Sequence, residues 1–236
     1  MTALPEVTWS RPFATVGPTD IFEVDLPADA RREAAAVTWL DASERERWKR
    51  LRGVRARREF ALCRAALRRH LGQRLGCSNQ GLAFGALQHG KPVAIVNGRT
   101  MPYGFNVSHG GADGLIAFAA GVSIGVDVEE RSPRYDLEGM AARFCGSNER
   151  AALATVEGQE RANLFYRLWT LKEALLKALG SGFACDPTAF EVPPDVMRGA
   201  RSGTIRLRHG RSRLWRVTDL GETRFSAAVA YELRGG

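Results

Sequence analysis

The sequence lacks several features that would place it outside the globular proteins. No apolar run approaches 18 residues, and the first ten residues show no basic head before an apolar core. Neither a membrane span nor a signal peptide is therefore predicted, and the cytoplasm is the expected compartment. The four cysteines form no CxxC pair and have no histidine pattern beside them, which argues against zinc and for reduced, mostly buried thiols.

The composition is that of a folded protein with one unevenly charged segment. Hydrophobic residues make up 44% and charged residues 25% of the 236 positions, which disfavours extended disorder. The formal net charge is +8, and residues 31–74 hold 14 Lys and Arg against 5 Asp and Glu. This segment carries the whole excess, so we expect it to attract phosphates or an acidic partner protein.

Hydrophobic periodicity predicts an α+β fold. The order is strand, helices, strands, helices, strands, which indicates two halves, residues 1–120 and 121–236. Expected helices cover about 30–40, 55–75, 148–156 and 160–179, and a further helix opens with Glu44 and Glu46. Expected strands cover 19–26, 93–96, 104–107, 115–120, 122–128, 203–207, 214–218 and 224–231. Predicted helix caps and stops are Asp41 or Ser43, Gly76, Ser147, and Gly180 with Gly182. The proline-bearing loop 185–202 is predicted to be flexible.

Two carboxylates lie two residues apart in a predicted strand. Asp127 and Glu129 would point to the same face of the sheet, where their charges repel each other. A hard divalent cation such as Mg²⁺ would make that arrangement favourable. The alternative is the solvent face of an ordinary amphipathic edge strand, with Val126 and Val128 facing the core.

A serine and a histidine stand at the end of another short strand, in the segment FNVSHGG that starts at residue 105. His109 would donate to a phosphate oxygen or titrate near neutral pH, and Ser108 would add a hydroxyl. The pair is not a hydrolase triad, because adjacent strand residues point to opposite faces. A structural histidine is the alternative.

The segment WTLKEALLK, residues 169–177, sits in a predicted helix. Trp169, Glu173 and Lys177 recur every four residues and share one face. The simple interpretation is a surface ion pair beside a half-buried tryptophan. The alternative makes Glu173 a metal ligand or a base, with Lys177 as a phosphate contact or proton donor.

Together the motifs resemble one family. FNVSHG at 105–110, IGVDVE at 124–129, WTLKEALLK at 169–177 and the GKP turn at 90–92 resemble, in order and spacing, the signature of the Sfp-type 4'-phosphopantetheinyl transferases. The resemblance implies two similar α+β halves with pseudo-twofold symmetry and an active-site cleft between them. It implies transfer of 4'-phosphopantetheine from coenzyme A to a serine of an apo carrier protein, releasing adenosine 3',5'-bisphosphate.

The resemblance also implies roles for individual residues. Asp127, Glu129 and Glu173 would coordinate Mg²⁺ on the pyrophosphate, and Asp127 would be essential to catalysis. Glu173 would be the base for the carrier serine. Lys177 would neutralise or protonate the departing phosphate oxygen, with Lys172 nearby.

A second set of residues would hold the phosphates of the coenzyme. By resemblance Ser108 and His109 contact phosphate, His109 near the 3'-phosphate. Lys91 and arginines of the basic segment would complete the clamp, because guanidinium forks suit phosphate oxygens. The candidate arginines are Arg47, Arg55 and Arg58. Gly110 departs from the family, which often has a serine there, and this puts a local phosphate or adenine contact in doubt.

The expected partners are coenzyme A and acidic apo carrier domains of the acyl, peptidyl or aryl type, without nucleic acid or membrane. A monomer would suffice, because one chain builds the cleft. One alternative is an Mg²⁺-dependent phosphoester hydrolase or nucleotidyl transferase. Another is a nucleic-acid-binding protein, suggested by the pI of about 9.8, which leaves the three acidic residues unexplained. The last alternative is a homologue of these transferases that has lost catalytic activity.

Overall fold

The computed structural model describes residues 8–87, 90–132, 136–180, 185–209 and 211–233. Within these ranges the chain forms eleven strands and seven α-helices. The strands are β1 Ser10–Val16, β2 Thr19–Asp25, β3 Leu82–Ala86, β4 Pro92–Val96, β5 Arg99–Thr100, β6 Tyr103–Gly110, β7 Asp113–Ala120, β8 Ile124–Glu130, β9 Ser202–His209, β10 Arg211–Asp219 and β11 Phe225–Leu233. The helices are α1 Ala30–Trp39, α2 Ala42–Arg50, α3 Val54–Leu75, α4 Leu137–Phe144, α5 Ser147–Ala154, α6 Gly158–Leu179 and α7 Pro194–Met197.

The predicted α+β class is confirmed, and the strands form three antiparallel sheets. The first sheet has the order β1-β2-β7-β6, and the second has the order β8-β11-β10-β9. Strands β3, β4 and β5 form a small third sheet. The pseudo-twofold relation of the halves stays a prediction.

Three hydrophobic cores stack these elements into four layers. The first core lies between α3 and the first sheet and contains Leu67 and Phe118. The second joins the faces of the two large sheets and contains Val126. The third lies between the second sheet and α6 and contains Leu175 and Trp215. Because β7, β8 and β11 are covered on both faces, each is buried along nearly its whole length.

Local sequence signals explain where the long helices begin and end. Asp41, one of the two predicted caps, is the N-cap of α2 and forms a capping box with Glu44. The predicted stops Gly76 and Gly180 have φ of +61° and +66°, the left-handed conformation that glycine adopts without strain. Gly182, the other predicted stop, lies outside the described residues.

Two predictions for the second half are wrong. Gly146, not Ser147, is the N-cap of α5, and its N–H donates to the Glu149 carboxylate at 2.8 Å. The loop 185–202 is not uniformly flexible, because it contains a 3-10 turn and α7 and buries hydrophobic side chains in the third core. The buried residues of this loop are Phe190, Val192 and Val196.

The cysteines differ in their burial. All four cysteines are free; Cys63 and Cys145 are buried, whereas Cys77 and Cys185 are half-buried. Among the described residues, no helix has the length and apolarity that crossing a membrane requires.

Candidate active site

The strands β6 and β8 run side by side where the two large sheets meet. They belong to different sheets, and side chains bridge them: the Val126 backbone N–H donates to Asn106 Oδ1 at 2.9 Å. The Ser108 hydroxyl donates to Asp127 Oδ1 at 2.9 Å. This seam places the predicted serine beside the predicted carboxylate.

Helix α6 reaches the same point because a glycine lets it lie directly on β8. A Cβ at Gly125 would stand 2.1 Å from the Ala174 carbonyl oxygen, so any side chain there would push the helix away. With the helix in place, Lys177 Nζ lies 2.6 Å from Asp127 Oδ1 and donates to the Ser108 hydroxyl oxygen at 2.9 Å. Three elements distant in the chain thus contribute to one polar cluster.

Asp127 does not lie on the solvent face of an ordinary strand. It is 2% exposed, and its Oδ2 is buried and has no hydrogen-bond partner among the described residues. An unpartnered buried carboxylate oxygen is costly unless something satisfies it. The solvent-face alternative from the sequence is therefore wrong for this residue.

The other two predicted metal ligands, Glu129 and Glu173, lie close enough to Asp127 for its negative charge to raise their pKa values. Burial and then the negative charge of Asp127 raise the pKa of Glu129 to about 7, although a hydrogen bond from Trp169 opposes the shift. Burial and the Asp127 charge also raise the pKa of Glu173. Glu129 and Glu173, with their raised pKa values, and the buried Asp127 form a set of oxygen donors that a divalent cation would stabilise.

The carboxylates are not, however, arranged as a closed metal site. Among the described residues no group of three His, Cys, Asp or Glu side chains is placed to hold a metal ion. Lys177 already occupies Asp127 Oδ1, which leaves Oδ2 as the available oxygen of that residue. Ligation of Mg²⁺ by Asp127, Glu129 and Glu173 stays a prediction.

Lys172 is not a site residue, which corrects the predicted coenzyme contact. It is 0% exposed, and its Nζ lies 2.5 Å from the carboxylate of Glu149, which is also 0% exposed. Its ammonium also lies over the rings of Phe144 and Phe190. The lysine therefore joins α6 to α5 inside the core and is unable to reach a ligand in the cleft.

A second polar cluster forms where β6 ends near the start of α3. Arg55 Nε donates to Glu59 Oε1 at 2.6 Å, and another guanidinium nitrogen of Arg55 donates to the Gly111 carbonyl at 3.0 Å. The other oxygen of Glu59 lies 3.6 Å from His109 Nδ1. The predicted phosphate contacts Arg55 and His109 are thus connected through an acidic residue that sequence reasoning missed.

The other two candidate arginines have different surroundings. Arg47 is exposed, and its guanidinium lies over the ring of Phe60 at 5.2 Å from the centroid. Arg58 is half-buried, and its Nε has no hydrogen-bond partner among the residues that the structure describes. Phosphate binding by Arg47 and Arg58 stays a prediction.

Lys91 extends from the GKP turn to the end of α6. Its ammonium donates to the Ala178 carbonyl, and its alkyl chain packs against Gly180, where a Cβ would come within 2.7 Å of it. Burial lowers the pKa of Lys91 to about 8. The turn thereby connects the first half of the chain to the helix that bears Glu173 and Lys177.

A cleft of about 480 Å³ opens beside these residues. Its polar lining includes Lys91, Asn106, Glu173 and Lys177, and its apolar lining includes Phe144, Trp169, Leu176 and Pro187. A larger groove of about 530 Å³ lies along the start of α6. Arg131 in that groove donates to three backbone carbonyls, and Arg167 forms an ion pair with Asp219. Both guanidinium groups therefore already have partners within the protein. The smaller cleft is the one lined by Glu173 and Lys177.

Comparison with known proteins identifies the family of the chain. The 4'-phosphopantetheinyl transferase superfamily (ACPS) matches residues 123–230. The 4'-phosphopantetheinyl transferase HetI of Nostoc sp. is 35% identical over 163 residues, which are 68% of this chain and 67% of that one. The chain belongs to the 4'-phosphopantetheinyl transferase family.

Other family members match over similar or shorter stretches. The protein slr0495 of Synechocystis sp., provisionally named a 4'-phosphopantetheinyl transferase, is 38% identical over 145 residues. That match covers 61% of this chain and 58% of the relative, which is less than two thirds of the relative's length. The 4'-phosphopantetheinyl transferase Sfp of Bacillus subtilis is 25% identical over 170 residues, 72% of this chain and 73% of that one.

Close packing accounts for the glycine that departs from the family pattern. At Gly110 a Cβ would stand 2.7 Å from the Val128 carbonyl oxygen and 3.1 Å from Glu129 Cα. A serine there would force β6 away from β8. Gly110 therefore lets these strands approach each other next to Glu129.

Proposed function

We propose that this chain transfers 4'-phosphopantetheine from coenzyme A to a serine hydroxyl of an apo carrier protein. One observation carries the proposal: α6 places Lys177 on Asp127, and Glu173, one helical turn earlier, lines the same cleft as Lys177. The names of the relatives support the same reaction.

The carboxylates suit a divalent cation, and we propose that Asp127, Glu129 and Glu173 hold Mg²⁺. The buried, unpartnered Asp127 Oδ2 and the raised pKa values of Glu129 and Glu173 are the observations that fit. When bound, the ion would offset charge on the pyrophosphate oxygens.

The protein side chains would move the protons. The carrier serine oxygen forms a bond to the phosphorus attached to pantetheine, and the bond from that phosphorus to the departing bisphosphate oxygen breaks. Glu173 would take the serine proton, because its raised pKa makes it a stronger base than an ordinary glutamate. Lys177 would neutralise or protonate the departing oxygen, and Asp127 would keep the ammonium in position.

The remaining polar side chains would hold the coenzyme phosphates. Ser108 lies within hydrogen-bond distance of Lys177, and His109 lies at the exposed end of the same strand. Lys91 lines the cleft on its other side. We propose phosphate contacts for these three residues, and for the arginines of the basic segment, Arg47, Arg55 and Arg58.

The acceptor would be an acidic carrier domain, attracted by the basic segment 31–74. Part of that excess is internal, because Arg68 is 1% exposed and pairs with Asp41 and Glu44. The exposed arginines of α2, Arg45, Arg47 and Arg50, would contribute to the attraction. The site lies within one chain, so a monomer suffices.

The decisive experiment is to incubate the protein with coenzyme A, Mg²⁺ and a panel of apo acyl and peptidyl carrier proteins. We expect intact-protein mass spectrometry to show the gain of one phosphopantetheinyl group, which EDTA abolishes. The released nucleotide should be adenosine 3',5'-bisphosphate; release of free phosphate without carrier modification would favour the hydrolase alternative. Asp127→Ala should abolish transfer while the circular dichroism spectrum stays unchanged. A full rate in that variant would contradict the proposed metal ligation.

A further inference from the structure

Glu59 is a buried acid placed between two groups that we propose bind phosphate. The residue is 8% exposed, and its two carboxylate oxygens face different side chains, Arg55 and His109. Oε1 accepts from Arg55 Nε at 2.6 Å, and Oε2 lies 3.6 Å from His109 Nδ1. Glu59 lies on α3 and His109 on β6, so the carboxylate bridges the two elements.

Arg55 and His109 both need external support to hold one conformation. Their side chains are 61% and 47% exposed, so little packing restrains their rotamers. Ordering a long arginine costs conformational entropy that a ligand would otherwise have to offset on binding. A carboxylate fixed in a helix removes part of that cost in advance.

The carboxylate is also placed to orient the imidazole, because Oε2 lies 3.6 Å from His109 Nδ1. An acceptor opposite Nδ1 favours the proton on that nitrogen, which turns Nε2 outward. The same negative charge would repel a phosphate if it were uncompensated. Here the carboxylate pairs with the Arg55 guanidinium, which offsets the negative charge, and its other oxygen lies 3.6 Å from the His109 ring.

We propose that Glu59 is a positioning residue of the coenzyme site, which orders Arg55 and His109 for binding a phosphate group. The inference depends on the proposed function of the chain. It adds a residue that need not touch the coenzyme and that acts through the two side chains it holds.

The test compares Glu59→Gln with Glu59→Asp and with the matched control Glu46→Gln. Glu46 is an exposed glutamate that pairs only with Lys49 among the described ion pairs. For Glu59→Gln we expect the KM and the Kd for coenzyme A to rise about tenfold, as for the loss of one charged hydrogen bond, with kcat within about twofold. Glu59→Asp should recover part of the affinity, and Glu46→Gln should match the wild type.

A second measurement needs no coenzyme. The ¹⁵N shifts of the His109 ring, recorded where the imidazole is neutral, should show mainly the Nδ1–H tautomer in the wild type and a shift toward Nε2–H in Glu59→Gln. A merely structural glutamate would change unfolding without changing this tautomer. Unchanged coenzyme affinity and an unchanged tautomer in folded Glu59→Gln would overturn the inference, and so would tighter coenzyme binding.

These outcomes separate the inference from the proposed function. If the wild type modifies a carrier and Glu59→Gln behaves identically, only the role of Glu59 is lost. If the wild type neither binds coenzyme A nor modifies any carrier, the proposed function fails. The tautomer measurement still decides in that case whether Glu59 orients His109.

Discussion

Lys177 of α6 and Asp127 of β8 form an ion pair with 2.6 Å between Nζ and Oδ1. The aspartate side chain is 3% exposed and the lysine side chain 29%, so water screens this pair only in part. The lysine is the cation that directly opposes Asp127 beside two further carboxylates, Glu129 and Glu173. Its removal should therefore affect all three acids.

Lys177→Met should destabilise the protein in a way that Mg²⁺ corrects. Loss of the ammonium leaves Asp127 buried without its counter-ion, which we expect to cost about 2 kcal/mol of unfolding free energy. The melting temperature should fall by several degrees, and millimolar Mg²⁺ should raise it more in the variant than in the wild type. Thermal unfolding with Mg²⁺ or EDTA measures both effects.

The control for Lys177 is Lys49→Met, which removes an exposed ion pair with Glu46. It should change stability by less than about 0.5 kcal/mol and show no added response to Mg²⁺. Equal Mg²⁺ responses in wild type and Lys177→Met would argue against a cation among these carboxylates.

Lys172→Met should reduce stability and leave coenzyme affinity unchanged. The substitution leaves Glu149 buried without its cation, a loss of about 3–5 kcal/mol. The double variant Lys172→Met, Glu149→Gln should be more stable than the single one, because no charge stays buried. Denaturant titration measures the stabilities. Weaker coenzyme binding at unchanged stability would instead support the coenzyme contact that the sequence predicted.

Gly110→Ala should strain the contact between β6 and β8. The added Cβ would meet the Val128 carbonyl oxygen at 2.7 Å, so the backbone must shift, at a cost of about 1–3 kcal/mol. Gly81→Ala is the control, since a Cβ there has its nearest neighbour at 3.4 Å. Chemical denaturation of both variants tests this. Similar stabilities would mean that the two strands separate without cost.

His70 should make the protein less stable in acid. Its Nε2 lies 2.8 Å from Ser10 Oγ, and burial, with the nearby Arg74 and Arg69 charges, lowers the pKa of His70 to about 4. The unfolded chain takes up a proton near the ordinary value of 6.5, whereas the folded chain does so only near 4. The contribution of His70 is therefore complete above about pH 6.5 and is lost as the pH falls toward 4.

His70→Phe provides the comparison for that pH dependence. The aromatic ring should preserve the packing on Phe22, 3.9 Å between ring centroids in the wild type, without a titrating group. Unfolding free energies at pH 7.5, 6 and 5 should fall less steeply in the variant. Parallel curves for the two proteins would show that the depressed pKa of His70 does not contribute.

Local sequence was enough for most elements. The Asp41 cap and the Gly76 and Gly180 stops are decided by side-chain and backbone geometry within a few residues, so they were predictable. Strands β1, β3 and β5 and helices α4 and α7 were missed, because each spans eight residues or fewer and carries little periodicity. The loop after residue 185 was misjudged for a different reason: its hydrophobic residues are buried in the third core, which elements distant in the chain build.

For the site, the sequence by itself determined the residue types, their order and the family. Spacing put Asp127 and Glu129 on one face of a strand and Glu173 and Lys177 on one face of a helix, because those periods are properties of the backbone. Only the tertiary structure decided which residues meet. It buried Lys172 against Glu149, placed Lys177 on Asp127 through the close approach at Gly125, and set Glu59 between Arg55 and His109. Such pairings depend on how sheets and helices pack over long separations, which no local pattern records.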